Sequence, residues 1–171
     1  MPKLNAIYNA NVYIDGNNLL GKAAEITAPE IEFTMDEVTG LGLFGTIKLP
    51  SGMEALEAEM TWNSFYPEVA ARSRNPFKSA QLMIRSNLQT FDAAGLEKEV
   101  PMVTTMTGTF GKDSLGGFKP KEKAEFSSTF QVNEVRQVAD GRELFYYNAF
   151  TNTLRVDGQD VLSQMRKNIG A

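Results

Sequence analysis

Glu57 and Glu59 stand two residues apart in Leu56-Glu57-Ala58-Glu59. On a strand that spacing turns both carboxylates to one face, where a pair could act as acid and base on a glycosidic bond. They would have to work without help. The chain has no histidine and no cysteine. Thiolate zinc sites, disulfides and the Ser-His-Asp and Cys-His mechanisms are therefore absent, as is the side chain most used for proton transfer near neutral pH. No second cluster gathers to hold a substrate, so the plainer reading of the two glutamates is a solvated strand face. Lys119, Lys121 and Lys123 suggest anion binding, but Glu122 and Glu125 interleave with them, which favours a solvated edge. Gly40-Leu41-Gly42-Leu43-Phe44-Gly45 is glycine-rich, yet it lacks the Lys and Ser/Thr of a phosphate-binding loop and opens no helix. These residues imply no enzyme, no metal and no cofactor.

That loop joins two segments with strand periodicity, and the stretch from Glu30 to Asn63 organises the rest. In the first arm Ile31, Phe33 and Met35 alternate with Glu32, Thr34 and Asp36, which predicts a strand with one buried and one wet face. In the second, Leu56, Ala58, Met60 and Trp62 alternate with Glu57, Glu59, Thr61 and Asn63. Met53 to Met60 is also rich in helix formers, with Met53, Leu56 and Met60 on one helical face. The strand is preferred because the run continues through Thr61-Trp62 and because a helix would leave the first arm without a partner. Leu41, Leu43 and Phe44 at the tip of a loop either fold back onto the protein's own core or dock onto another subunit.

Around this stretch the chain reads as mainly β. Ile7 to Ile14 predicts a strand, Asp15-Gly16 a type I′ turn, Asn17 to Leu20 a return strand and Lys22 to Thr27 a further one. Ser64 to Arg72 predicts a short helix with Pro67 at its start and Arg72 in its last turn, ending before Asn75-Pro76. Strands are expected over Ala80 to Asp92, Glu97 to Lys112, Ala124 to Val138 and Arg142 to Val156, the last being covered on both sides. Asp157 to Gly170 closes the chain as an amphipathic helix whose apolar face, Val161, Leu162, Met165 and Ile169, should pack over the sheet.

A single domain spanning residues 1–171 is expected, large enough for its own core. No apolar run approaches a membrane span and the N-terminus lacks the apolar core of a signal peptide, so the expected place is the cytoplasm or an assembly built there. The net charge of −4 hides an asymmetry. Between Glu25 and Glu68 nine acids face Lys48 alone, the opposite of the basic stripe that grips nucleic acid.

The order of elements, with particular residues, resembles a known family. The carriers are Val12-Tyr13-Ile14-Asp15-Gly16-Asn17 followed by Leu20-Gly21, then Thr27-Ala28-Pro29-Glu30-Ile31, the Gly40-to-Gly45 loop, Met53 to Glu59, and Leu154 to Leu162 with Arg166 and Ile169-Gly170. Together they resemble the major tail tube protein of contractile-tailed (myophage-type) bacteriophages and R-type tailocins, over nearly the whole chain except Ser64 to Phe118. The resemblance implies a β-sandwich or barrel-like protomer that closes into a hexameric ring with a continuous β-barrel. Rings would stack into a virion tail tube that works with sheath, tape-measure, baseplate and tube terminator proteins, with DNA passing through the lumen without specific binding. On that reading Leu41, Leu43 and Phe44 form the contact between rings. The wet faces holding Glu32, Asp36, Glu57 and Glu59 line either the lumen or the surface toward the sheath. Two alternatives are an inner tube of a secretion apparatus and a β-barrel that binds a small apolar ligand near Phe145 to Tyr147.

Overall fold

The computed structural model describes residues 2–171 and is mainly β. Strand β1 (Leu4–Ile14) turns through Asp15 and Gly16, both at positive φ, into the two-residue β2 (Asn17–Asn18). Next come β3 (Ala23–Thr27), β4 (Phe33–Val38), β5 (Ile47–Met53) and β6 (Leu56–Trp62). Helix α1 (Pro67–Ser73) has proline in its first turn, Glu68 behind it and Arg72 in its last turn, as its sequence predicts. Long strands β7 (Ala80–Asp92), β8 (Gly95–Asp113) and β9 (Phe126–Ala139) lead to β10 (Arg142–Asn148), β11 (Thr153–Val156), β12 (Gln159–Asp160) and α2 (Ser163–Ile169).

The core forms because β9 has two different neighbours along one edge. Its first half, Phe126 to Val132, pairs with β6, and from Glu134 onward the same edge pairs with β10, while β8 runs along the other edge. The path β3-β6-β9-β8-β7-β1 therefore curls around one apolar interior. Leu56, Ala58, Met60 and Trp62 enter it from β6 in strict alternation, and Leu82, Met106, Phe110 and Phe130 meet them from the other strands. The handover needs a bulge on β9 between the pairs Thr107–Glu134 and Gly108–Val132. There the two backbones approach so closely that a Cβ on Gly108 would stand 1.8 Å from the Gln131 carbonyl oxygen. Helix α1 closes one end with Val69 and Ala70 buried. Beside it the Trp62 indole N–H donates to Ser128 (3.0 Å), whose hydroxyl donates to Asp113 (2.7 Å), itself paired with Arg74 (2.9 Å).

Four expectations need correction. The first arm of the Glu30–Asn63 stretch pairs with Ile47–Met53, not with Leu56–Asn63, so β6 is a strand for a different reason: it belongs to the main sheet. Pro50 and Gly52 hide β5 from pattern reading, and a bulge at Ser51 accommodates the proline. The supposed buried face of Ile31, Phe33 and Met35 is exposed. Arg142 to Val156 is a hairpin rather than one strand, because the Asn148 side chain accepts the N–H groups of Phe150 and Thr151 and bends the chain. Finally, the terminal helix starts only at Ser163, since Gln159–Asp160 pairs with β11; Gly170 at φ +74 ends it as expected.

Candidate functional site

Strands β4 and β5 pair only with each other, so the hairpin Phe33–Met53 leaves the main sheet at the Leu56 end of β6. Its base is tied by the Glu54 N–H to the Glu32 carbonyl (2.9 Å) and by Thr34 Oγ1 to Glu54 Oε1 (2.7 Å). A two-stranded ribbon is marginal in water without a partner for its faces. Here both faces carry apolar residues. Near the base Phe33, Met35, Pro50 and Met53 share one face; nearer the tip Val38, Ile47 and Leu49 share the other, with Asp36 among them. The switch follows from alternation combined with the bulge at Ser51.

At the tip Gly42, at φ +85, lets the loop turn tightly, with the Leu43 N–H on the Gly40 carbonyl (3.1 Å). Leu41 and Phe44 have relative exposures of 108% and 110%, and Leu43 is 45% exposed. The loop does not fold back onto the core.

The terminal residues occupy a different place from the one expected. No α2 residue is buried; Val161 and Ile169 are exposed by more than half, Met165 is exposed at 37% and Leu162 is half-buried. Leu162 and Met165 line a cleft of about 500 Å³ with Tyr147, Leu154 and the hairpin-base residues Phe33 and Met53. Polar bonds anchor the helix. Arg166 donates to the Asn152 carbonyl (2.9 Å) and pairs with Asp160, holding that carboxyl below its ordinary range. The same branch carries Glu143, which the Arg155 guanidinium (2.8 Å) holds low, with Arg136 (2.9 Å) assisting. The Arg155 guanidinium also sits 3.9 Å over the Tyr146 ring.

The four acids are not brought together. Glu32 and Asp36 travel with the hairpin. Glu57 and Glu59 lie on the outer face of β6 opposite Gln131 and Thr129, and the Gln131 amide donates to Glu57. Register adds an acid to this group that alternation alone does not single out: Glu25 pairs with Thr61 and so shares the face. The outer face continues over β8 with Thr107 and Thr109 as a polar wall.

Among the described residues the edges at β1 and β3 are open in the protomer. β1 pairs with β7 along one edge but with β2 only at Tyr13 and Ile14 on the other, and β3 pairs with β6 alone. Leu4, Ile7 and Tyr8 are exposed along the open part of β1. None of the helices is long and apolar enough to cross a membrane, among the described residues.

The chain is 24% identical over 164 residues to the tail tube protein of Escherichia phage P2, covering 94% of each. Its fold is similar to chains of two solved structures of the extracellular contractile injection system PVC in the extended state. One is the sheath-tube complex (TM-score 0.56, 14% identity, 77% of this chain and 89% of that one). The other is the sheath/tube terminator (TM-score 0.55, 13% identity, 77% and 94%). The family model for phage tail tube protein FII matches residues 4–170, and the chain belongs to that family.

Proposed function

We propose that this protein is the building block of the inner tube of a contractile phage tail, a structural rather than catalytic component of the virion. Copies close into a hexameric ring in which open strand edges such as β1 and β3 join neighbouring sheets into a continuous β-barrel, and rings stack into a conduit inside the sheath. The observation that carries this reading is the β4–β5 hairpin: apolar residues on both faces and a tip whose Leu41 and Phe44 stand in solvent, on a ribbon that pairs with no other strand among the described residues. Leu41, Leu43 and Phe44 are its contact with the next ring. The likeness to a sheath-tube complex and to a sheath/tube terminator supports sheath and terminator proteins as partners. Tape-measure and baseplate proteins complete the set.

The outer face of β6, with Glu57 and Glu59 and now Glu25, is the candidate lumen wall. A conduit must not hold its DNA, since each phosphate neutralised by Lys or Arg releases counterions and adds affinity. Carboxylates among threonine and glutamine repel the backbone instead. Glu32 and Asp36 stand apart from that face, at the base and on the first strand of the hairpin. Sedimentation velocity across a concentration series tests the proposal: rings and longer polymers should appear as concentration rises, and a protein that stays monomeric to about millimolar, far above the Kd of weak specific contacts, contradicts it.

A further inference from the structure

The hairpin needs a receiving surface, and the opposite end of β6 carries one. Leu56 marks the hairpin end of this strand, and Trp62, paired with Phe126, marks the other, roughly 20 Å away at strand rise. At the Trp62 end Phe126 is flanked by Phe65 (centroids 5.8 Å apart) and Phe118 (6.2 Å, edge-on), and Leu115 and Phe118 are largely exposed. This platform is built in advance. Gly116, at φ +118, lets Phe118 lie back on Phe126, and a Cβ there would stand 2.7 Å from the Phe118 ring.

The charges of the two ends are opposite. At the platform Arg74 stacks over Phe65 (5.6 Å) and pairs with Asp113, and the segment between Phe118 and Phe126 carries Lys119, Lys121 and Lys123 against Glu122 and Glu125. On the hairpin Asp36 and Glu37 stand against Lys48, which pairs with Glu37 (3.6 Å), and Glu30, Glu32 and Glu54 add acids at its base. Among the described residues Lys121 and Lys123 take no ion-pair partner, whereas Lys119 pairs with Glu122 (3.7 Å). The lysines read from sequence as a solvated edge therefore rim an exposed aromatic surface.

We propose that this Phe65–Phe118–Phe126 platform is the socket for the β4–β5 hairpin of a second copy of the chain, with Leu41 and Phe44 on the aromatic rings and the hairpin acids against the lysine rim. Because knob and socket occupy opposite ends of one protomer, the contact is head-to-tail and repeats without closing, which is the symmetry that grows a tube. The assignment rests on the tube reading and names the surface that reading leaves open. Complementary charge sets the register of docking, and apolar burial holds it.

The test uses the absence of native cysteine. In tubes grown from Phe44→Cys/Phe118→Cys protein, mild oxidation should give a ladder of multimers on a non-reducing gel that collapses with reductant, and neither single variant should give one. A bond within one chain is excluded, because a disulfide needs its Cα atoms within about 7 Å and these positions lie beyond opposite ends of β6. Tubes without a ladder, from this pair and from Leu41→Cys/Leu115→Cys, overturn the socket while leaving the tube standing. Wild-type protein that forms no tubes overturns both. A charge swap decides the case in which the cysteines stop assembly: Lys121→Glu/Lys123→Glu should slow growth tenfold or more, Asp36→Lys/Glu37→Lys in the same chain should restore it, and failure to restore counts against the socket.

Discussion

Phe44→Asp separates the protomer's stability from its assembly. The Phe44 ring is fully in solvent, so the protomer loses no packing, and a surface change of this kind moves folding stability by no more than about 0.5 kcal/mol. In the proposed ring-to-ring contact the same ring is buried, contributing roughly 1.5 to 3 kcal/mol, or about one to two orders of magnitude in the contact's equilibrium constant. Aspartate removes that contribution and adds the cost of desolvating a carboxylate. The loss recurs at every subunit of every ring. Circular dichroism melts at dilute concentration should superimpose on wild type, while sedimentation should show rings that no longer grow into tubes. A variant that melts several degrees lower, or that forms tubes at the wild-type rate, refutes the reasoning: the first would put the loop in the protomer's own core, the second would leave it out of the contact.

Four further outcomes follow from the same structure. Gly108→Ala should cost at least about 3 kcal/mol, the top of the ordinary overpacking range, because the new Cβ meets backbone at the β9 handover; an unchanged melting temperature would mean the bulge is wrongly placed. Leu162→Ala should cost only about 1 kcal/mol, a fraction of full burial, since the side chain is partly buried beside a cleft into which its neighbours can relax; a loss of several kcal/mol would restore the buried terminal helix. Glu143, Asp157 and Asp160 have folded pKa values lowered by the hydrogen bonds of Arg155, Arg142 and Arg166 respectively, so the stability they contribute is present above the ordinary carboxylate range and lost as pH falls through the folded values. Amide exchange in β10 to α2 should accelerate in acid before that of β6 to β9, and uniform acceleration would contradict this. In assembled tubes Glu57→Lys/Glu59→Lys should retain DNA at low salt, whereas variant tubes that lose only sheath binding would place these acids on the outside.

The alternation in Leu56 to Trp62 and the turn at Asp15-Gly16 were legible because each depends on local sequence: one residue in two faces the core, and two positions need positive φ. The partner of the first arm was not legible. Pro50 and Gly52 suppress the strand signal of β5, and pairing is a non-local choice that alternation does not encode. Ile31, Phe33 and Met35 show an apolar face correctly, but sequence does not say whether the core or a neighbouring copy covers it. In the terminal helix Arg166 reads as a cation suited to a helix end, yet its reach to Asn152 and Asp160 across the preceding turns anchors the element more than its apolar stripe does. Glu25 joins Glu57 and Glu59 only through the register between β3 and β6.

Electron microscopy of the purified protein, negatively stained at a concentration where sedimentation shows polymers, tests the central claim most directly. The account predicts annular particles with a central hole and hollow tubes of uniform diameter built from stacked rings. A field of dispersed particles no larger than one protomer, at every concentration and salt tried, would contradict it.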